Sequence, residues 1–324
     1  MGLIRAGAVW YPPTVLPYIG NRLLLAIPTL LGVSVVAFFL GFLAPGSPID
    51  LLMGQHGDPS VRRRLEHEYG LDLPPLEQYR RFVVHAVRGD LGKSFANRDR
   101  PVSQMIGEQF PTTALLATLS IITAVGFGIP AGVIAALHRN RLIDRVVMGG
   151  VLLLVSTPPF VLAPLLMLAF ALKLGWLPDS GWEGPSYWVL PALVLAARPA
   201  ALMARLMRSS MLDVLGQDYI RTAMAKGLSR GQVIRRHALK NAFLPVLTAI
   251  GSSFGYLLTG SFVVETIFGI PGIGYESVHS ILARDYPVIQ GVALLVAALF
   301  VVVNLVVDVL YALVDPRIRY GGAR

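Results

Sequence analysis

The sequence contains no cysteine, and only 15% of its 324 residues are charged. The absence of cysteine excludes disulfides, cysteine-ligated zinc and iron–sulfur clusters. The scarcity of charge is unusual for a soluble protein, in which about a quarter of the residues are charged. Hydrophobic residues make up 54% of the chain, and the mean hydropathy is +0.62. This composition predicts an integral membrane protein.

Other absences narrow the range of functions. The six histidines are scattered, and no two are spaced i, i+4 on a helix, so we predict no metal site. The chain has no nucleophile-elbow motif and no convincing pair of catalytic carboxylates, which argues against a membrane enzyme. It also has no internal repeat, which argues against a self-contained secondary carrier. The net charge of +9 is explained by its placement beside membrane segments, and no nucleic-acid partner is predicted.

The segment RGDLGKS at Arg88–Ser94 has the look of a phosphate-binding loop. Such a loop needs a glycine five residues before the glycine of its Gly-Lys pair, and that position is Val87. We interpret the segment as a turn, and we expect no nucleotide site and no cofactor in this chain.

Long apolar runs predict six membrane-spanning helices, and hence an all-α membrane protein. A helix needs about 20 apolar residues to cross the hydrocarbon core of a bilayer. The first run is too long for the apolar region of a signal peptide, so we interpret it as a retained anchor. The predicted spans are Leu23–Leu43, Thr113–Leu137, Val146–Leu174, Tyr187–Met207, Ala242–Ile267 and Val288–Val314.

Lysine and arginine predict the orientation, because they accumulate in short cytoplasmic loops. If the N-terminus is inside, the short outer loops near 175–186 and 268–287 contain Arg284 as their one basic residue. Both termini are therefore predicted to be cytoplasmic. The predicted organisation is an N-terminal cytoplasmic or interfacial segment (1–22), a first span (23–43), a partly helical extracytoplasmic subdomain (44–111), a five-helix core (112–314) with a cytoplasmic loop (208–241), and a cytoplasmic tail (315–324).

Three of the polar residues inside predicted spans are candidates for a role there, because charge is costly in the membrane. Arg198 is near the middle of the fourth span, while Asn304 and Asp308 lie one turn apart in the inner half of the sixth. Each is a candidate for a pathway lining or for an interhelical pair, and both alternatives stay open for Arg198. For Asp308 the position near the inner interface favours a structural role.

The basic stretch that begins at Asp218 predicts more than a topology signal. Asp218 is expected to cap a short helix over Tyr219–Lys226, and Gly227 to end it, because glycine adopts the left-handed conformation at low cost. Ser229 and Gln232 have the spacing of a capping box, which begins a second helix. A loop that only sets topology needs neither feature.

We therefore predict that this stretch docks onto a cytoplasmic partner. Small and flexible side chains at Ala223, Met224 and Ala225 suit the first helix to a groove.

At these residues the chain resembles bacterial ABC-importer permeases of the dipeptide, oligopeptide and nickel branch, in the cytoplasmic segment known as the EAA loop. Arg221-Thr222-Ala223 stand where the wider family has Glu-Ala-Ala, and Gly227 stands at the motif glycine. This departure from Glu-Ala-Ala is typical of the peptide branch. Further matches are GDLGKS at Gly89–Ser94, VVETIFGIPGIG at Val263–Gly274, ARDYPVIQG at Ala283–Gly291 and NLVVDVLYALVDPRIRYG at Asn304–Gly321.

The resemblance implies the type I ABC importer permease fold, in a bacterial inner membrane, for a transport subunit with no enzymatic activity of its own. It implies a homologous second permease subunit, two cytoplasmic ATPases that bind ATP and Mg²⁺, an extracytoplasmic solute-binding protein and surrounding lipid. The family's EAA loop couples the permease to the ATPases. By position, that role falls here on Arg221, Thr222, Ala223, Met224, Ala225, Lys226, Gly227, Leu228 and Ser229.

The substrate is less well determined than the family. Di- or oligopeptides are the leading prediction, and nickel or another small solute is the close alternative. A self-contained secondary transporter is a more distant alternative, since it would need an internal repeat and ion ligands buried in the membrane.

Overall fold

The structure is a computed structural model that describes residues 15–43, 49, 53, 58–97 and 100–314. Helices dominate this part of the chain, in agreement with the predicted all-α class. The helices are α1 (Val15–Leu43), α2 (Pro59–Glu68), α3 (Pro75–Val87), α4 (Val102–Leu137), α5 (Leu142–Ser156), α6 (Pro159–Leu166, continued by a π-helical stretch Met167–Lys173), α7 (Pro185–Leu215), α8 (Asp218–Ala225), α9 (Arg230–Val233, continued by a π-helical stretch Ile234–Ala238), α10 (Leu239–Leu258), α11 (Phe262–Phe268), α12 (Ile273–Leu282) and α13 (Tyr286–Val314).

The predicted membrane helices are present, but the third is not straight. Within the described residues, α1, α4, α7, α9 with α10, and α13 are each long and apolar enough to cross a membrane. Helices α5 and α6 meet the same criterion only as a pair, and they are bent by 108° where they join. Pro158 and Pro159 explain this bend, because a residue before proline avoids the helical conformation and Thr157 is extended.

One predicted span boundary is wrong, at the end of the fifth span. The second predicted span lies within the longer helix α4, which begins at Val102. The fifth ends at Leu258 and does not continue to Ile267, because the chain turns at Gly260 with φ of +94° and then starts the separate helix α11. A β-carbon at Gly260 would approach the backbone nitrogen of Gly274 to 3.3 Å, so the turn also depends on a close backbone contact.

Close glycine contacts hold the membrane helices together. A β-carbon added to Gly128 or Gly132 of α4 would lie 2.5 Å from the carbonyl oxygen of Ala200 or Ala204 of α7, respectively. The two glycines are four residues apart and therefore lie on one face of α4. Small residues at this spacing let helix backbones approach closely, which is how membrane helices gain contact without a hydrophobic driving force.

The same device joins α10 to α13. Gly251 and Gly255 face the side chains of Val307 and Val303, and a β-carbon at either glycine would collide with them.

Two buried carboxylates hold the helices together at the end of the bundle that lies opposite the basic stretch 218–240. The first is Asp285. It accepts a hydrogen bond from the Ser94 hydroxyl at 2.5 Å. The backbone amides of Phe95 and Ala96 donate to the same carboxylate at 3.0 and 3.1 Å. The turn that follows α3 therefore binds a carboxylate of its own chain, in agreement with the interpretation of RGDLGKS as a turn.

The second carboxylate, Glu265, is fully buried at the start of α11. It accepts hydrogen bonds from the backbone amides of Gly274 (2.7 Å), Tyr275 (3.1 Å) and Ser261 (3.3 Å). The hydroxyl of Thr113 on α4 also donates to it, at 3.1 Å. One side chain thus joins α4, α11 and α12.

The subdomain made of α2 and α3 contacts the first membrane helix. Ser34 of α1 and Tyr79 of α3 share a hydrogen bond of 2.9 Å between their hydroxyl groups. The rings of Phe38, Tyr79 and Phe82 pack beside this bond, with centroids 5.4 and 6.1 Å from Phe38. The subdomain is therefore attached to α1 by both polar and aromatic contacts.

We predict that Gly128→Ala destabilises the protein, because the added methyl group has no room against the backbone of α7. The expected cost is about 1–3 kcal/mol, the range for overpacking a well-packed core. Gly126→Ala on the same helix is the matched control, since its β-carbon would meet no atom within 4 Å. It should stabilise slightly, because alanine is the better helix former. The measurement is the thermal unfolding midpoint in detergent, and equal midpoints for the two variants would contradict the close contact.

Candidate functional site

The candidate site is the basic loop of residues 216–241, which connects the end of α7 to the start of α10. Its first helix, α8, begins one residue earlier than predicted. Gln217 occupies the N-cap position without a side-chain cap bond, and Asp218 is the first helical residue. The prediction that Asp218 caps the helix is therefore wrong. Its carboxylate lies 3.5 Å from the Arg221 guanidinium and in the first turn of the helix, where negative charge is favourable.

The predicted bend between the two helices is confirmed. Gly227 has φ of +84°, and its amide donates to the carbonyl of Met224 at 3.0 Å. The amide of Leu228 donates to the carbonyl of Ala223 at 3.3 Å. This pair of bonds is the Schellman pattern, which ends a helix at a left-handed residue.

The predicted capping box is confirmed as well. The Ser229 hydroxyl accepts a hydrogen bond from the amide of Gln232 at 3.4 Å, and the Gln232 side chain accepts one from the amide of Ser229 at 3.0 Å. These bonds satisfy two amides at the start of α9 that would otherwise lack partners.

The two faces of α8 differ sharply in exposure. Ile220 and Ala223 are buried in the main apolar core of the protein, together with Val233 and Ala238 from the following helices. This corrects the prediction for Ala223, which faces the core of its own chain and not a docking surface. Leu228 is half-buried. Several of the residues predicted to couple the chain to the ATPases are exposed, namely Arg221, Thr222, Met224, Ala225, Lys226, Gly227 and Ser229.

A side-chain hydrogen bond also attaches α8 to the next membrane helix. The Asn241 side-chain amide, near the start of α10, donates to the Tyr219 hydroxyl at 2.9 Å and to the carbonyl of His237 at 3.0 Å. Helix α8 is therefore connected to α7 through the chain and to α10 through this bond. A load on its exposed face acts on both membrane helices.

An ion pair between a buried carboxylate and a partly exposed guanidinium fixes α7 close to the loop. Arg208 donates from Nε and Nη2 to the two carboxylate oxygens of Asp144, at 2.7 Å each. The amide of Asn140 also donates to Asp144, at 2.9 Å. Two parallel bonds between guanidinium and carboxylate are strong and directional. They join the start of α5 to α7 two turns before α7 ends.

The pattern of the sequence gave no signal for this pair. Asp144 stands among Arg139, Arg141 and Arg145, and Arg208 stands in the basic loop region, so each looked like part of a topology signal. The two partners are 64 positions apart, so no local spacing connects them.

The predicted intramembrane polar residues do not form a cluster in the described structure. Arg198 is exposed on α7, and no hydrogen bond or ion pair holds its guanidinium within the described part of the chain. Asn304 is half-buried in α13. The side chain of Asp308 lies outside the described residues. Within the described residues, Arg198 therefore forms no interhelical pair.

Comparison with known proteins identifies the family. Residues 128–320 match the binding-protein-dependent transport system inner membrane component family, and residues 15–117 match the N-terminal part of such membrane components. The chain belongs to this family. It is therefore an ABC importer permease, a multi-pass protein of the inner membrane, as predicted from its motifs.

Curated relatives lie in the same branch. The permease is 46% identical over 305 residues to the glutathione transport system permease protein GsiC of Escherichia coli K12. The GsiC protein of Salmonella paratyphi A gives the same identity and length. Each comparison covers 94% of this chain and 99% of the relative.

A solved structure supports the fold. The permease is similar to a chain of the MetNI methionine ABC transporter in an inward-facing conformation, with a TM-score of 0.57 and 18% identity. The likeness covers 65% of this permease and 97% of that chain. At this identity it concerns the fold alone, and it confirms the predicted type I importer permease fold.

We predict that Asp144→Ala destabilises the permease. It leaves the Arg208 guanidinium without its partner, and the cost should stay below the about 3–5 kcal/mol of a fully buried pair, because 27% of the Arg208 side chain is exposed. The double variant Asp144→Ala with Arg208→Ala removes both charges, so it should recover part of that loss. Thermal unfolding of the purified permease measures both effects. An Asp144→Ala variant as stable as the wild type would contradict a stabilising role for this ion pair. The control is Glu77→Ala, which breaks the exposed pair of Glu77 and Arg80 and should have little effect on stability.

Proposed function

We propose that this permease forms half of the translocation pathway of an ATP-driven importer for short peptides, and that the basic loop couples it to cytoplasmic ATPases. Under this proposal the basic loop and both termini lie in the cytoplasm. The α2–α3 subdomain and the α11–α12 region face the other side of the membrane, where a solute-binding protein delivers the substrate.

The observation that carries the coupling proposal is the two-sided construction of α8. Its inward face is buried in the permease core through Ile220 and Ala223, while Met224, Ala225 and Lys226 project outward. A flexible loop would absorb a push from a partner protein. A helix that is packed on the core, hydrogen-bonded to α10 and joined to α7 by two residues would transmit that push into the membrane.

The proposed partners follow from the family. Binding-protein-dependent transport requires a binding protein, and an ABC importer requires ATPase subunits. We propose two ATPases, which hold ATP and Mg²⁺, and one homologous permease that completes the pathway. ATP binding would favour one arrangement of the spans over another, because a ligand shifts a two-state equilibrium by its differential affinity for the two states.

The likeness to GsiC favours a peptide over nickel. GsiC is named as a glutathione transport permease, and glutathione is a tripeptide. We therefore propose glutathione or a peptide of similar size as the substrate. Nickel or another small solute is the alternative, and it is an outcome of the experiment below.

We predict that Gly227→Val abolishes coupling while the permease still inserts and assembles. Valine at φ of +84° is strongly disfavoured, so the bend between α8 and α9 should open and move the exposed face of α8. The measurement is ATP hydrolysis by the complete transporter in liposomes, stimulated by the binding protein loaded with glutathione. The expected loss of stimulation is at least about tenfold, which corresponds to about 1.4 kcal/mol of coupling.

The matched control is Gly231→Val, four residues along the same loop. Gly231 lies in α9 without a positive φ, and its β-carbon would meet nothing within 4 Å. It should keep most of the stimulation. Normal stimulation in Gly227→Val would contradict the coupling proposal. A wild-type transporter that responds to Ni²⁺ and not to glutathione would instead contradict the substrate proposal.

A further inference from the structure

Between residues 190 and 209, helix α7 is largely enclosed by its neighbours, yet one stripe of this stretch remains exposed. Most residues from 190 to 204 are buried in the core of the permease. The stripe follows the spacing i, i+4, i+7 and i+11, which keeps one side of a helix. Its members are Arg198, Leu202, Arg205 and Ser209.

The glycine contacts fix the rotation of α7 and hence the direction of this stripe. Gly128 and Gly132 bring α4 against Ala200 and Ala204. At about 100° per residue, Arg198 lies about 160° around the helix from Ala200. The Arg198 side chain therefore leaves α7 on the side opposite α4. Turning the stripe elsewhere would require these close contacts between α4 and α7 to break.

The depth of Arg198 excludes a lipid-facing role. It is 13 residues after Pro185, so it lies about 20 Å along α7 from the start of the helix. In the predicted span Tyr187–Met207, Arg198 lies near the middle, which is well inside a hydrocarbon core of about 30 Å. A basic side chain near a helix end can reach the interface, whereas one at this depth faces a water-filled space or a protein surface.

We propose that the stripe on α7 faces the translocation pathway and that the Arg198 guanidinium binds a carboxylate of the substrate as it passes. This inference rests on the proposed function, since it names a contact for the peptide. A guanidinium matches a carboxylate with two parallel hydrogen bonds. A peptide with a free C-terminus carries at least one carboxylate, and glutathione carries two.

The exposure of Arg198 suits a transported ligand. A fully buried arginine would hold a carboxylate tightly, and a pathway site must release its ligand as well as attract it. Water around the guanidinium screens the attraction. Leu202, one turn further along the stripe, adds an apolar surface beside the charge. The substrate class selected here is a small anionic or zwitterionic peptide.

The experiment replaces Arg198 with cysteine, in a permease that has no cysteine of its own. The complete transporter is reconstituted in liposomes with its binding protein, using partner subunits that also lack accessible cysteine. ATP-dependent uptake of labelled glutathione is measured before and after treatment with two thiol reagents. One reagent, aminoethyl methanethiosulfonate, adds a positive charge. The other, sulfonatoethyl methanethiosulfonate, adds a negative charge.

We expect Arg198→Cys to reduce glutathione uptake at least about tenfold, which is the effect of losing one charged contact. The aminoethyl reagent should restore most of the uptake, and the sulfonatoethyl reagent should not, because a negative charge repels the substrate carboxylate. Lys173→Cys is the control, since it removes another exposed basic residue from a membrane helix. Its uptake should stay near the wild-type value with either reagent.

Three results would overturn the inference: normal uptake by Arg198→Cys, failure of both reagents to label the cysteine in the assembled transporter, or equal effects of the two reagents. A lack of labelling would indicate that the partner subunit covers the stripe. A wild-type transporter without glutathione uptake contradicts the proposed substrate class. Normal wild-type uptake together with normal Arg198→Cys uptake contradicts this inference alone.

Discussion

The close contact between α4 and α7 is the constraint on which the rest of the structure depends. Lipid offers no hydrophobic driving force for helix association. The two helices can approach closely because Gly128 and Gly132 have no side chain. The contact fixes both the position and the rotation of α7. Helix α7 carries Arg198 and Arg208, and it leads into the basic loop. Its placement therefore determines where the stripe on α7, the ion pair with Asp144 and the start of the basic loop lie.

Buried carboxylates hold the ends of the helices. Asp144 binds Arg208 at the basic end, while Glu265 and Asp285 bind hydroxyl and amide donors at the opposite end. Each carboxylate accepts at least three hydrogen bonds, which offsets the cost of taking it out of water. These interactions lie where the helices break or turn. They leave the middle of the spans to apolar and glycine packing, with Arg198 as an exposed charge at mid-depth.

Features of the sequence that depend on neighbouring residues were predictable, and those that depend on distant ones were not. The apolar runs, the bend at Gly227 and the capping box at Ser229 each follow from local spacing and chain conformation. The inward position of Ala223 was missed, because its burial depends on core residues that are distant in the sequence. The pair of Asp144 with Arg208 was missed for the same reason. The 108° bend follows from the neighbouring residues Pro158 and Pro159, so it is a local feature that the sequence could have predicted.

Together these contacts describe a permease in which α7, α8 and α10 form one mechanical unit. The most direct test uses the absence of cysteine to place spin labels at Met224→Cys on α8 and Lys240→Cys on α10, in the complete transporter. The distance between the labels is measured by pulsed electron paramagnetic resonance, without nucleotide and with ATP and Mg²⁺. The account predicts one narrow distance distribution that is the same in both states. A distribution that broadens or shifts when ATP binds would show that α8 moves independently of α10, and it would contradict the account.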